Sequence, residues 1–126
     1  MVQKGLLYTK EHEWVKVDGE VAVVGITDHA QHLLGEVTFV ELPEKEAELR
    51  QGAALGVVES SKAASDVYSP VTGTVTDVNT ELESRPELIN QGCYQDGWIC
   101  KMNVTDPGCT LTLMDAKGYE KYLKEL

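Results

Sequence analysis

The residue best suited to covalent modification is Lys62, which lies in the segment Glu-Ser-Ser-Lys-Ala-Ala-Ser-Asp at 59–66. Small neighbours leave its amine open to a modifying enzyme, and acylation would convert the ammonium to an amide and remove its charge. Most surface lysines are merely solvated, so the residue type alone indicates no function. The apolar runs at 55–58 and 67–68, however, predict two strands that hold Lys62 at an exposed hairpin tip.

Lys62 also lies at the junction of an internal repeat. Residues 35–40 are echoed by residues 73–78, and Gln-Gly at 51–52 is echoed by Gln-Gly at 91–92. Two copies are too few for a solenoid, but they fit two similar half-sheets packed face to face. Of the nine lysines, only Lys62 occupies this junction.

The elements that must position Lys62 are predicted to be mainly β-strands. Runs at 14–17 and 21–24 flank Asp-Gly-Glu, which predicts a hairpin. Thr27 or Asp28 is the expected N-cap of a short helix that ends at Gly35, and residues 37–42 return to strand.

Apolar residues at helical spacing in 115–126 predict a C-terminal amphipathic helix that packs on the sheets. We therefore expect an all-β sandwich of two antiparallel sheets with a short internal helix and a C-terminal helix. At 126 residues the chain fits one domain, 1–126, with a core at 20–105 and a C-terminal helical segment at 110–126.

Charge and cysteine content exclude several classes of function. The net charge of −10 disfavours nucleic acid and anionic membranes as partners. The three cysteines, Cys93, Cys100 and Cys109, form no C-x-x-C pair, which favours a reducing compartment. The first residues hold no apolar run long enough for a signal peptide, so a cytoplasmic protein is expected. The expected oligomeric state is a monomer.

Candidate enzyme motifs are incomplete. His12-Glu13 lacks the second histidine of a zinc protease helix, and His29 and His32 share a helical face without an evident third ligand. No phosphate loop or nucleophile elbow is present. We therefore predict no catalytic residues and no metal site.

Several segments together resemble the H-protein family of the glycine cleavage system, one of the lipoyl carrier families. They occur in the family's order and cover nearly the whole chain: residues 8–15, 25–31, 34–43, 62–71, 86–90 and 97–99. Biotin acceptors place Met on both sides of the lysine, whereas Lys62 has Ser61 and Ala63.

This resemblance implies a barrel-sandwich hybrid of the lipoyl-domain type, with lipoate attached to Lys62. Glu59, Ser61 and Ala63 would form the acceptor hairpin with it. A lipoate ligase, or an octanoyl transferase with lipoyl synthase, would attach the group.

The resemblance also implies partners and a cargo. The Lys62 side chain with its lipoyl group, here called the arm, would carry an aminomethyl group between glycine decarboxylase, aminomethyltransferase and dihydrolipoyl dehydrogenase. Glu13 and Asp66 match acidic positions that would hold the cationic amine of the loaded arm in a surface cleft.

A second function is compatible with the same residues. H-protein-like lipoate-binding proteins serve sulfur oxidation with a heterodisulfide-reductase-like complex, and the three cysteines keep this alternative open. The arm would then carry sulfur instead of aminomethyl. Buried, unreactive thiols are the simpler interpretation of the cysteines.

Overall fold

The computed structural model describes residues 2–126 and confirms a mostly β fold with two antiparallel sheets and short helices. The strands are β1 (Leu7–Tyr8), β2 (Glu13–Asp18), β3 (Val21–Ile26), β4 (Val37–Glu41), β5 (Glu48–Leu49), β6 (Ala54–Ser60), β7 (Ala64–Tyr68), β8 (Gly73–Val78) and β9 (Cys100–Val104). The helices are α1 (Asp28–Leu34), α2 (Glu81–Ser84), α3 (Leu88–Gly92) and α4 (Ala116–Lys124), with a 3-10 helix at Pro107–Thr112.

The two copies of the repeat enter different sheets. β4 pairs with β6 in a three-stranded sheet of order β4-β6-β7, whereas β8 pairs with β9 in a six-stranded sheet of order β1-β2-β3-β9-β8-β5. Buried apolar side chains from both sheets form one core, including Val58 and Val67 from the smaller and Val24, Val75 and Met102 from the larger.

The local predictions for the first third of the chain are confirmed. β2 and β3 form a hairpin closed by Asp18 opposite Val21, and Gly19 in the turn has the positive φ of 64° that favours glycine. Thr27 caps α1 by accepting a hydrogen bond from the Ala30 N–H, and Gly35 ends the helix with φ 79°.

The predicted C-terminal helix is also confirmed. Asp115 caps α4 by accepting a 2.8 Å hydrogen bond from the Gly118 N–H. Tyr119 of α4 is fully buried and stacks on Tyr8 with ring centroids 4.6 Å apart. These contacts and a second apolar cluster around Leu6 and Trp14 fix α4 to the sheet.

Two short helices, α2 and α3, were not predicted. They have four and five residues, and neither has a capping side-chain hydrogen bond at its N-terminus. Segments of about one turn are too short to show an apolar periodicity in the sequence. The burial of Leu82, Leu88 and Ile89 in the core stabilises these two helices. None of the helices in residues 2–126 has the length and apolar character needed to cross a membrane.

Candidate modification site and the adjoining cleft

Lys62 is exposed at the tip of the hairpin that β6 and β7 form, as predicted. Glu59 is paired with Ala64, and the Ser60 N–H donates a 2.8 Å hydrogen bond to the Ala63 carbonyl. Ser61 and Lys62 therefore make a two-residue loop between two paired strands. Such a loop holds its residues in a defined orientation on a rigid support.

The side chain of Ser60 closes this loop. Its hydroxyl oxygen accepts hydrogen bonds of 3.2 Å from the N–H groups of both Lys62 and Ala63. Outside glycine, positive φ in residues 2–126 occurs only at His12 and Glu46, so the loop is not a primed hairpin turn. The hydroxyl adds these contacts to the backbone hydrogen bond between Ser60 and Ala63. The sequence predicts Ser60 only as a small neighbour of Lys62, although a serine that accepts from N–H groups two and three residues later is a known turn signal.

The other predicted hairpin residues surround the tip. Glu59 is half-buried in β6, opposite Phe39 of β4 on one side and Ala64 of β7 on the other. Ser61 and Ala63 are exposed. The hairpin therefore presents small side chains beside the lysine and one carboxylate at the base of the loop.

A cleft of about 440 Å³ lies where the chain's N-terminal and C-terminal parts meet the end of β7. Its walls combine polar and apolar side chains from four separate segments: residues 8–11 with Glu13, residues 51–52, residues 68–69 and residues 112–114.

Glu13 is the buried acid of this cleft, with 2% of its surface exposed. One carboxylate oxygen accepts from the Thr9 hydroxyl, and the other accepts a 3.1 Å hydrogen bond from the Tyr68 N–H. Burial raises the pKa of Glu13, and these two hydrogen bonds oppose that rise. A cation that entered the cleft would therefore meet a carboxylate already oriented by the fold.

Asp66 does not line the cleft with Glu13. It is exposed on β7 and lies opposite Val57 of β6. Because side chains alternate along a strand, Ala64, Asp66 and Tyr68 share one side of β7. This side leads from the hairpin tip to the cleft, with Asp66 between them.

His12 makes a structural contact with the C-terminal helix. His12 Nδ1 lies 2.8 Å from the Tyr119 hydroxyl, which also lies 2.8 Å from the Thr27 hydroxyl. Burial lowers the pKa of His12, and neighbouring His29 lowers it further. In the described part of the chain, residues 2–126, no three His, Cys, Asp or Glu side chains come together in a way that could hold a metal ion.

All three cysteines are unpaired and buried. Burial raises the pKa of Cys93 to about 11 and that of Cys100 to about 12. The Cys109 sulfur accepts a 3.3 Å hydrogen bond from the Thr72 N–H. Their surroundings are those of small core residues and not of reactive thiols.

Comparison with known proteins agrees with this geometry. The family model described as "Glycine cleavage H-protein" matches residues 6–126. A "Glycine cleavage system H protein" from Symbiobacterium thermophilum is 52% identical over 124 residues, which cover 98% of this chain and 97% of that protein. The protein of the same name from Alkaliphilus oremlandii is 53% identical over 121 residues, which cover 96% of this chain and 94% of that one.

The fold comparison gives the same result. A crystal structure of a glycine cleavage system H protein from Mycobacterium marinum superposes with a TM-score of 0.86 and 32% sequence identity. The match covers 98% of each chain. The sulfur-oxidation alternative is not favoured by these relatives. The chain belongs to the glycine cleavage H-protein family.

Proposed function

We propose that the protein is a non-catalytic carrier that bears lipoate as an amide on Lys62. The observation that carries the proposal is the placement of Lys62 on an exposed, Ser60-closed hairpin tip in a chain of the H-protein family. The ion pairs within residues 2–126 involve other side chains, so no carboxylate holds the Lys62 amine. A free amine on a rigid tip fits what an acylating enzyme needs.

The residues of the protein position the lipoyl group, and the reactive sulfur atoms belong to the cofactor. When bound, lipoate offers sulfur chemistry that can carry an aminomethyl group. Lys62 contributes the amide nitrogen at the root of the arm, and Ser60 keeps that root in place. Glu59, Ser61 and Ala63 form the surface around the lysine that an attaching enzyme would contact.

Glu13 is proposed to receive the cationic end of the loaded arm. Its carboxylate is the buried acid of the cleft, and Tyr8, Leu113 and Met114 supply apolar surface beside it. Asp66, on the side of β7 that leads from the tip to the cleft, would act along the path of the arm.

The proposed partners follow from the family. Glycine decarboxylase would load the arm, aminomethyltransferase would unload it, and dihydrolipoyl dehydrogenase would reoxidise it. A lipoate ligase, or an octanoyl transferase with lipoyl synthase, would attach the group. The cytoplasm is the proposed compartment, since three unpaired thiols suit a reducing environment, and the proposed working form is a monomer.

Intact-mass spectrometry after incubation with lipoate ligase, ATP and lipoate tests the attachment site. One adduct is expected on the wild-type protein and on Lys16→Arg, an exposed control lysine on β2. Lys62→Arg should show none, because arginine cannot form the amide. An adduct that persists on Lys62→Arg would overturn the proposal.

A second measurement tests whether the lipoyl group carries the aminomethyl group of glycine cleavage. Lipoylated protein should support glycine-dependent release of carbon dioxide when glycine decarboxylase is added, whereas Lys62→Arg carried through the same ligase reaction should not. Failure of the adduct-bearing protein to support decarboxylation would refute the proposed place in glycine cleavage.

A further inference from the structure

Lys62 lies against Gly35. A side chain at Gly35 would place its first carbon 3.1 Å from Lys62 Cε and 3.5 Å from Lys62 Nζ. Contacts of 3.1 Å between carbon atoms are shorter than the usual 3.5–4.0 Å optimum, so the end of the Lys62 side chain would have to shift by a few tenths of an ångström. The missing side chain of Gly35 is what leaves room for the end of the Lys62 side chain.

The backbone at Gly35 is unsuited to other residues. Its φ of 79° with ψ of −149° lies in a region that is essentially restricted to glycine. The same residue ends α1, with its N–H bonded to the Gln31 carbonyl.

Asn90 of α3 holds this turn in place. Its Nδ2 donates 2.8 Å hydrogen bonds to the Gly35 carbonyl and to Gln31 Oε1, and its Oδ1 accepts a 2.8 Å hydrogen bond from the Val37 N–H. Asn90 therefore contacts the chain both before and after Glu36. A distant helix fixes the surface on which the lysine lies.

We propose that Gly35, fixed by Asn90, is a positioning residue for acyl transfer to Lys62. The inference rests on the proposed function, because it concerns the same amine. A free lysine side chain loses rotamer freedom whenever its amine is brought to one place. The backbone at Gly35 limits the positions of the Lys62 amine before the attaching enzyme binds. Less conformational entropy is then lost when the amine is oriented for acyl transfer.

Steady-state lipoylation by lipoate ligase tests this on the full chain, with apo-protein concentration varied to separate kcat from KM. Gly35→Ala is compared with Gly19→Ala. Gly19 also has positive φ, and an added carbon there meets nothing within 4 Å. The control therefore places alanine at a positive φ without contact to Lys62, and Asn90→Ala tests the position of the turn with glycine kept at 35.

We expect Gly35→Ala to lower kcat by about tenfold with KM within a factor of about two, since orientation and not docking is altered. Gly19→Ala should retain the wild-type kcat. Equal kcat values in the two variants would overturn the inference, whereas absence of any adduct on the wild-type protein would instead refute the proposed function.

Asn90→Ala provides a second route that adds no bulk beside the lysine. Asn90→Ala should also lower kcat, but by a smaller factor than Gly35→Ala, because the turn at Gly35 loosens while the glycine itself remains. If Gly35→Ala does not fold, the kcat of Asn90→Ala tests the inference in its place, and an unchanged kcat would overturn it.

A spectroscopic measurement separates positioning from stability. In protein labelled with ¹³C at lysine Cε, the Lys62 signal is assigned by its loss in Lys62→Arg. We expect that signal to shift in Gly35→Ala and to keep its position in Gly19→Ala. An unshifted signal in Gly35→Ala would contradict the contact on which the inference depends.

Discussion

The Glu13 carboxylate joins the two sheets, because its Oε2 accepts a 3.1 Å hydrogen bond from the Tyr68 N–H. Glu13 begins β2 of the larger sheet, and Tyr68 ends β7 of the smaller one. β7 lies at an edge of its sheet, where the outward-facing backbone N–H groups have no neighbouring strand to pair with. The acid proposed to receive the cargo is therefore also a structural contact, and its two roles can be separated by substitution.

Glu13→Gln should keep the fold and weaken the binding of the arm. The amide oxygen can still accept from Tyr68, so the melting temperature should stay near the wild-type value. Without the negative charge, the loaded arm should lose its cargo to solvent about tenfold faster, corresponding to roughly 1.4 kcal/mol. Release of the aminomethyl group from loaded protein measures this rate.

Glu11→Gln is the matched control, since Glu11 lines the same cleft but is exposed. It should change the release rate little. Equal acceleration in both variants would mean that overall charge, and not the buried carboxylate, protects the cargo. Glu13→Ala should additionally lose about 1–3 kcal/mol of stability, because the Tyr68 N–H is then left without its partner.

Ser60→Ala should loosen the tip that carries Lys62. The substitution removes the acceptor of two N–H groups, those of Lys62 and Ala63. Amide hydrogen exchange at Lys62 and Ala63 should then accelerate by roughly five- to tenfold, as expected for the loss of about 1 kcal/mol of local hydrogen bonding.

Ser65→Ala is the control on the same hairpin. The Ser65 hydroxyl is exposed and donates only a 3.4 Å hydrogen bond to the Asp66 carbonyl. Exchange at the tip should match the wild-type rate in this variant. Unchanged exchange in Ser60→Ala would show that strand pairing alone closes the loop.

Features encoded by neighbouring residues were predictable from the sequence. The ends of α1 follow from the capping residue Thr27 and from Gly35, and the hairpin tip follows from small residues between two apolar runs. Each signal acts over a few residues, so it can be found without knowledge of the tertiary structure.

The cleft and the contacts of His12 were not predictable in this way. Glu13 and Tyr68 are 55 residues apart, and His12 and Tyr119 are 107 apart. Their meeting depends on how the sheets and α4 pack, which no local pattern encodes. The resemblance to the family indicated Glu13 and Asp66 as a pair, but only the structure separates the buried acid from the exposed one.

Cys93 and Cys100 should be unreactive in the folded protein. With a pKa of about 11, Cys93 is ionised to only about a thousandth at pH 8, and Cys100 with a pKa of about 12 is ionised still less. Both side chains are also buried, so iodoacetamide should label them only after denaturation in urea. Rapid labelling of either thiol in the native state, located by peptide mass spectrometry, would contradict their assignment as core residues.

The burial of His12 should make stability depend on pH. Burial and His29 lower the pKa of His12, while Glu11 opposes them. The unfolded chain therefore takes up the proton first as pH falls. The contribution of His12 is fully present above its ordinary pKa of about 6.5 and is lost as pH falls from there toward the lower folded value.

His12→Asn tests this with the least disturbance of the backbone, because His12 has φ 70° and asparagine tolerates positive φ. Between pH 7.5 and pH 5.5 the free energy of unfolding, measured in urea, should fall more in the wild-type protein than in the variant. Solvent screening reduces the size of this difference, because His12 is partly exposed. An identical pH dependence in the two proteins would mean that the imidazole keeps its ordinary pKa on folding.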